Sequence, residues 1–269
     1  RFREDKLRLL RAVRFATRLD FEIEPETFAA IRGHAAGIRE IAPERIREEL
    51  NRILTEGRAR RGFELLEASG LLAEILPEVA GLRGVEQPPE HHPEGDVWTH
   101  TLIMLEGLEA GCPATLAMGV LLHDIGKPGT FERICRRLRY SRADTEQIVE
   151  LVGHHMRFMH ARQMRESTLK RFLRLPKFDE HLELHRLDCS SSHGKLDNYE
   201  FVRTRRAELS EEQIRPQRLV TGDDLIALGY QPGPGFSQIL AAAEDAQLEG
   251  RFASREEALA WTRERFPPC

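Results

Sequence analysis

Residues 118–128 read MGVLLHDIGKP, and the fold of the chain follows from how it accommodates the two ionisable residues here, His123 and Asp124. The preceding residues, 114–122, are apolar nearly all the way round, which predicts a helix that is buried on every side. Burying an isolated carboxylate is costly unless it is paired or binds a metal. The stretch therefore indicates a core helix that ends in a histidine–aspartate metal site.

The composition favours an all-α fold. Val, Ile and the aromatic residues are sparse beside Leu, Ala, Glu and Arg, and no convincing alternating run predicts a strand. A chain of 269 residues with 41% hydrophobic content can form one large domain or two to three small ones. No apolar run reaches the roughly 18 residues of a membrane span, and no signal peptide is visible, so we expect a soluble, cytoplasmic protein without a membrane partner.

The net charge and the spacing of the cysteines limit which binding partners and which cellular compartment we expect for this protein. The formal net charge of −4 arises from 40 Lys and Arg against 44 Asp and Glu, so any RNA contact must be a local basic patch. The cysteines show no CxxC spacing, which argues against a zinc ribbon or a disulfide framework and for a reducing cytoplasm. They are Cys112, Cys135, Cys189 and Cys269.

Other parts of the sequence carry residues that suit the same metal site. The residues that we expect to bind one divalent metal are His100, His123, Asp124 and Asp188. His154 and His155, at the end of another predicted helix, are candidate ligands of a second metal. Imidazole and carboxylate ligands suit Mg, Mn, Ni, Fe or Zn, and the ligand types alone do not choose among these.

The order His, His-Asp, His-His and Asp resembles the HD superfamily of metal-dependent phosphohydrolases. The resemblance implies a metal-activated water that attacks phosphorus, since a bound metal lowers the pKa of its water toward about 7. In this interpretation Asp124 and Lys127 are catalytic, and Lys127 steadies the phosphate. The alternative is a buried, hydrogen-bonded His-Asp pair without a metal. Four matching elements in the same order favour the metal.

One feature departs from the HD pattern. Many HD hydrolases carry another histidine between the HD dipeptide and the later histidines, and this sequence has none between His123 and His154. The chain also passes abruptly from a turn into a basic helix after Phe131. We therefore expect an interruption between two neighbours in the range 130–135, with the missing histidine in the omitted segment. If the chain is continuous there, the site is expected to bind one metal weakly or none.

The N-terminal region predicts a basic helix. With a helical period, the arginines between residues 3 and 19 gather on one side and the apolar residues on the other. Those arginines are Arg8, Arg11, Arg14 and Arg18. Such a ridge can contact RNA, and Arg11 and Arg14 are our RNA-binding candidates. A solvated face with ion pairs along the helix explains the pattern equally well.

Residues 4–8, EDKLR, resemble the EDxxR neck helix of the class II tRNA nucleotidyltransferases and bacterial poly(A) polymerases. The resemblance implies that Asp5 and Arg8 read the incoming nucleoside triphosphate. A carboxylate accepts from the amino group of cytosine or adenine, and an arginine donates to ring acceptors. Residues 44–50, ERIREEL, resemble the segment that braces this neck, although an ordinary helix with internal ion pairs would read the same way.

The C-terminal region predicts a helical tail. A Gly-Pro turn over residues 232–235 precedes a helix that ends at Gly250. Backbone amides at Gly233 and Gly235, beside the helix N-terminus, could hold an RNA phosphate. A plain helical hairpin is the alternative, and the tail also resembles that of the same nucleotidyltransferases.

These features predict three segments: neck and body helices over residues 1–83, an HD domain over 84–210, and a tail over 211–269. The first interpretation is the non-head portion of an enzyme that adds C or A to RNA 3′ ends, with tRNA as the expected partner. The paired carboxylates and triphosphate-binding loop of a catalytic head are not in the sequence, which begins at Arg1, so we expect that head to be truncated or separate. The alternatives are a stand-alone HD phosphohydrolase acting on nucleotides or cyclic phosphates, and an RNA-binding scaffold with an inactive HD site.

Overall fold

Helices form nearly all the regular structure of residues 2, 4–90, 92–126 and 129–267, the part of the chain that the computed structural model describes. In these residues the one β pairing is an isolated antiparallel bridge between Glu86 and Asp96. The predicted all-α fold is confirmed. No helix among the described residues is long and apolar enough to cross a membrane.

The chain forms two compact units. The first comprises residues 1–158 and 179–199, and the second comprises residues 159–178 and 200–269. The helices that lie wholly in the first unit are α1 (Leu7–Leu19), α2 (Pro25–His34), α3 (Pro43–Thr55), α4 (Ala59–Ala68), α5 (Leu71–Ile75), α6 (Pro77–Ala80), α7 (Val97–Glu106), α8 (Ala114–Leu122), α9 (Thr130–Arg137) and α10 (Arg142–His154). The remaining helices are α11 (Glu166–Leu173), α12 (Phe178–Ser191), α13 (Asp197–Glu208), α14 (Glu211–Ile214), α15 (Gly222–Ala227), α16 (Gly235–Leu248) and α17 (Arg255–Arg265).

These units do not coincide with the three predicted segments. Residues expected to form a separate neck and body share one hydrophobic core with α7, α8 and α10 of the expected HD domain. Residues 159–178, expected in the HD domain, belong instead to the C-terminal unit. The division into two units is decided by which helices pack their apolar faces together. Linkers and motifs in the sequence do not indicate that packing.

Helix α8 lies at the centre of the first unit. All its residues after Ala114 are buried, because it packs against α3, α7 and α10. Gly119 allows the close approach of α10: a Cβ at this position would lie 3.1 Å from Leu151 Cδ1. The buried helix predicted before His123 is therefore present, and its end is held rigidly inside the core.

Helices α1 and α3 pack through a buried ion pair. The Nε of Arg14 donates to Glu49 Oε2 at 2.7 Å, and the two side chains are only 7% and 5% exposed. Arg11 Nε also donates to Glu49, at 3.3 Å. The interpretation of Arg14 as part of an exposed RNA-binding ridge is therefore wrong, because its guanidinium is committed to the interior. Glu49 lies in the ERIREEL segment and does brace α1.

The second unit has its own core. Helix α16 packs against α11, α15 and α17, and apolar residues from the segment 220–258 fill the space between them. A capping box at Ser254 begins α17, with the Ser254 hydroxyl accepting from Glu257 N. A second capping box, between Thr221 and Asp224, begins α15.

The predicted interruption between residues 130 and 135 is wrong. Helix α9 is continuous from Thr130 to Arg137, and Arg133 N donates to Gly129 O at 3.1 Å as the helix begins. Gly129 has φ of 92°, a conformation that glycine adopts without strain. The abrupt change from turn to basic helix is therefore a glycine-led helix start.

The buried pair between α1 and α3 yields a stability prediction. Replacing Glu49 by Gln removes the nearer counter-ion of the buried Arg14 and leaves only Glu56, whose Oε2 lies 3.6 Å from the Arg14 guanidinium. We therefore expect a loss of about 3 kcal/mol in the free energy of unfolding, the lower end of the range for breaking a buried pair. Urea unfolding followed by circular dichroism measures it. Glu48→Gln, one residue earlier and exposed, is the matched control and should change the free energy by less than about 0.5 kcal/mol. Equal effects from both substitutions would refute the importance of the pair.

Candidate metal centre

His100 enters the candidate site from α7. The Asp96 side chain caps this helix by accepting from Thr99 N at 2.8 Å, so the first turn is well defined and His100 faces the core without exposure. Its Nδ1 lies 2.6 Å from Glu94 Oε1. A carboxylate oxygen can only accept, so Nδ1 carries the proton in the neutral ring and Nε2 keeps its lone pair.

His123 and Asp124 lie at the end of α8. His123 Nδ1 donates to the carbonyl oxygen of Val120 at 2.9 Å, which leaves a lone pair on Nε2 of the neutral ring. That Nε2 atom is 3.2 Å from Asp124 Oδ2. Gln87 Nε2 donates to the same Asp124 oxygen at 3.3 Å. The buried helix thus presents an imidazole lone pair and a carboxylate at one point.

Asp188 is contributed by α12. Its Oδ1 atom lies 3.3 Å from His100 Nε2. His181 and His185 precede it by seven and three positions, and both are buried, so this face of α12 carries polar residues at helical spacing. One ligand atom each from His100, His123 and Asp188 can be chosen so that all lie within 4.8 Å of one another. Three separate elements therefore converge at the site.

The polar atoms at this point do not satisfy one another. The Nε2 atoms of His100 and His123 are buried, and within the described ranges neither has a hydrogen-bond partner. Each faces a carboxylate oxygen, and two acceptors at such a distance repel unless a cation or a proton lies between them. A divalent cation with two imidazole and two carboxylate ligands satisfies all four groups. The residues present therefore fit a metal.

The pKa shifts express the same electrostatics. Burial alone would lower the pKa of His123, but the adjacent Asp124 carboxylate outweighs it and raises that pKa. Burial would raise the pKa of Asp124, yet the neighbouring His123 holds it well below its usual range. Asp188 behaves likewise beside His100, with its pKa lowered in spite of burial. A positive charge is favoured at this point whether a proton or a metal supplies it.

The two consecutive histidines at 154 and 155 diverge. The His155 ring centroid is 5.7 Å from that of His123, and its Nδ1 donates to Val152 O at 2.6 Å. Burial lowers the pKa of His155, which keeps it neutral and able to act as a ligand. The Nε2 of His154 instead lies 2.8 Å from Glu150 Oε2. The structure thus brings only His155 of this pair beside His123. Lys127, expected to hold the phosphate, lies outside the described residues.

The neck residues lie at the start of α1. Asp5 is partly exposed, and its Oδ1 accepts from Leu7 N at 3.1 Å, so this carboxylate also caps the helix. The Arg8 side chain is 45% exposed and pairs with Glu4 at 3.5 Å. Arg11 is similarly exposed, at 44%. Asp5 and Arg8 are thus both partly exposed, in contrast to the buried Arg14.

Gly233 and Gly235 lie in the second unit, where the predicted turn leads into α16. Both are exposed, and the helix begins at Gly235 without a side-chain cap. The backbone amide of Phe236, in the first turn of α16, is already used within the turn, because it donates to Gly233 O at 3.0 Å.

Sequence reasoning missed several residues that contact the site. Glu94, Gln87 and His92 all lie in the Gly-, Pro- and His-rich loop before α7, where no helical or strand period predicts the direction of a side chain. Only the tertiary structure shows which of its polar residues turn inward. His185 is different, since its position three residues before Asp188 would place both on one face of any helix there, which is a usable signal. Its ring stacks on Phe158 at 4.5 Å, and burial lowers its pKa to about 4.

Comparison with known proteins shows the family and the fold of this chain. A family model described as "Probable RNA and SrmB- binding site of polymerase A" matches residues 20–82. The fold is shared with a CCA-adding enzyme of Thermotoga maritima solved in complex with tRNA, with a TM-score of 0.57 and 17% identity over 98% of this chain and 62% of that one. At that identity the likeness shows the fold alone, which is the helical architecture of a CCA-adding enzyme.

Curated relatives define the family. The chain is 33% identical to the A-adding tRNA nucleotidyltransferase of Deinococcus radiodurans, over 97% of this chain and 68% of that protein. It is also 33% identical to the Multifunctional CCA protein of Nitrosococcus oceani, over 86% of this chain and 63% of that protein. The chain belongs to the tRNA nucleotidyltransferase family, which confirms the predicted resemblance. It spans about two thirds of the length of these relatives, and the expectation about the catalytic head stays a prediction.

The divergence of the neighbouring histidines predicts unequal effects on metal binding. His123→Ala removes a nitrogen that faces the candidate metal centre, so we expect the affinity for Mn²⁺ or Ni²⁺ to fall by more than about 100-fold. Loss of a ligand should cost more than loss of a residue that only hydrogen-bonds to a ligand, which costs about 10–100-fold. His154→Ala removes a ring that pairs with Glu150, and the affinity should stay within about threefold of the original. Titration calorimetry measures both, with circular dichroism to verify folding. Equal losses would contradict the assignment of His123 to the site.

Proposed function

We propose that this chain is the RNA-binding and phosphohydrolase portion of a tRNA nucleotidyltransferase, an enzyme that adds C or A to RNA 3′ ends. The observation that carries the transferase part is the 33% identity to an A-adding enzyme along 97% of the chain. The observation that carries the phosphohydrolase part is the pair of buried imidazole lone pairs, on His100 and His123, that face carboxylates.

In this proposal the start of α1 reads the nucleotide. Asp5 accepts from the exocyclic amino group of cytosine or adenine, and Arg8 donates to ring acceptors of a bound CTP or ATP. Their placement supports these roles, since both side chains are accessible at a helix N-terminus. Asp5 gains a fixed orientation from its hydrogen bond with Leu7 N, which pre-organises one carboxylate oxygen and leaves the other to the ligand.

RNA contacts are proposed for both units. Arg11 contributes a positive charge that contacts a phosphate of the RNA. Glu49, which accepts from both Arg11 and Arg14, holds the Arg11 side chain along α1. In the second unit, Gly233 and Gly235 offer backbone amides at the exposed N-terminus of α16. A family model described as an RNA-binding site matches residues 20–82, which follow α1 directly in the first unit and support an RNA contact by this unit, although the match does not include Arg11.

The proposed RNA contact predicts a specific salt effect. Arg11→Ala should weaken tRNA binding and reduce the slope of log affinity against log salt by about 1, because one phosphate contact is lost. Fluorescence anisotropy of labelled tRNA at several salt concentrations measures this slope. Arg142→Ala is the matched control, since Arg142 is 92% exposed on α10 and pairs with Glu146 of the same helix. Its substitution should leave the slope unchanged. An unchanged slope for Arg11→Ala would remove this residue from the interface.

The second activity proposed is hydrolysis of phosphate esters at a divalent metal held by His100, His123, Asp124 and Asp188, with His155 beside it. Bound there, the metal would supply Lewis acidity and a hydroxide near neutral pH. The chain's own groups orient the ligands: Val120 O and Glu94 set the imidazole tautomers, and Gln87 holds Asp124. Lys127 is proposed to steady the phosphate. The mixed nitrogen and oxygen donors suit Mn, Ni, Fe or Zn better than Ca.

A hydrolysis assay tests this second activity. We expect the chain to release phosphate from nucleotides or to open 2′,3′-cyclic nucleotides when Mn²⁺ or Ni²⁺ is added, and to lose at least about 100-fold in rate on Asp188→Asn, since a ligand is lost. Asp179→Asn, at an exposed position in the first turn of the same helix, is the control and should retain the rate. Tight tRNA binding without hydrolysis under any metal would favour the alternative of an RNA-binding scaffold with an inactive site.

A further inference from the structure

The loop before α7 is folded tightly against the helix it precedes. Asp96 Oδ2 accepts from Gly84 N at 2.6 Å while its Oδ1 caps the helix at Thr99 N. Val97 N donates to Val85 O at 3.0 Å, so both ends of the loop are joined at the helix start. These bonds hold the loop against the helix, and three of its described side chains, those of Gln87, His92 and Glu94, turn towards the candidate metal centre.

Glu94 is the acidic residue of this loop that lies inside. Its side chain is 7% exposed, and its Oε1 atom lies 2.6 Å from His100 Nδ1 and 3.0 Å from His92 Nδ1. Its Oε2 atom is buried and has no hydrogen-bond partner in the ranges the structure describes. A buried carboxylate with one oxygen unsatisfied is costly unless positive charge lies nearby.

We propose that Glu94 is a positioning residue of the metal centre, a role that rests on the phosphohydrolase function proposed above. Glu94 acts through His100. It holds the His100 proton on Nδ1, so that the Nε2 lone pair is fixed on the side of Asp188 and His123. It also adds negative charge behind the imidazole, which strengthens that lone pair as a donor to a metal.

The geometry separates this role from that of a ligand. His92, Glu94 and His100 also have donor atoms within 4.8 Å of one another, so a second metal between them is the competing assignment. His100 would then have to give up its Nδ1 proton while its Nε2 serves the first centre. The 2.6 Å and 3.0 Å distances are those of charge-assisted N–H to carboxylate hydrogen bonds, which favours the protonated Nδ1 atoms.

Metal titration of three proteins tests the proposal: the unaltered chain, Glu94→Gln and Glu90→Gln. Gln keeps the size of the side chain and one acceptor oxygen but removes the charge. Glu90 lies in the same loop and is exposed, so it controls for a general effect of charge. We expect Glu94→Gln to lower the affinity for Co²⁺ by about 10–100-fold and Glu90→Gln by less than about twofold. The stoichiometry should be one metal per chain in all three.

Two further readouts separate positioning from a structural role. The visible absorption bands of bound Co²⁺ should shift in Glu94→Gln at saturating metal, because the donor strength of His100 changes. In the Zn²⁺-loaded protein, the ¹⁵N shifts of His100 should indicate a proton on Nδ1 in the unaltered chain and a mixture of tautomers in the variant. The thermal unfolding of the two metal-free proteins should agree within a few degrees, since no apolar packing is altered.

Each contrary outcome overturns a different statement. If the unaltered chain binds Co²⁺ and Glu94→Gln binds it equally with the same spectrum, Glu94 has no positioning role and the phosphohydrolase proposal stands. If the unaltered chain binds two metals and Glu94→Gln loses one, Glu94 is a ligand and not a positioning residue. If the unaltered chain binds none, the metal-dependent function itself fails, and the role of Glu94 fails with it.

Discussion

The candidate centre depends on one electrostatic constraint: two imidazole lone pairs are forced to face carboxylates in a buried site. Neither histidine can relieve the contact by changing its neutral tautomer. Glu94 occupies the other nitrogen of His100, and the Val120 carbonyl occupies that of His123. Both partners only accept hydrogen bonds, so a positive charge must enter between the lone pairs and the acids. The arrangement therefore favours a positive charge at this point, which either a proton or a metal can supply.

The packing of the first unit keeps this arrangement in place. Helix α8 is buried on all sides, so the backbone at His123 cannot move away from the acids without opening the core. Cores of this density yield little to local strain, because every side chain already has close neighbours. The loop before α7 is joined to the helix start by Asp96, which extends the same rigidity to Glu94. The repulsion at the centre is therefore maintained by apolar packing some distance away.

The basic residues of α1 illustrate how one motif serves two purposes. Arg14 faces Glu49 inside the unit and stabilises the contact between α1 and α3, whereas Arg8 and Arg11 remain accessible. A helical wheel groups these residues, because it reports only the angle around the axis. Burial of a given arginine depends on where the neighbouring helix crosses. A buried acid such as Glu49 on that neighbour is the sign that the arginine is structural.

The sequence by itself determined the all-α class, the family and the order of the candidate metal-site residues along the chain. These rest on local pattern: helix-forming composition, an apolar run that ends in His-Asp, and the EDKLR stretch. The tertiary structure alone decided that His155 and not its neighbour lies beside His123, that Arg14 is buried, and that Glu94 reaches His100. The physical reason is that a helix rotates by about 100° per residue, so adjacent side chains meet different surroundings. In a loop, the direction of each side chain depends on the surface against which the loop packs.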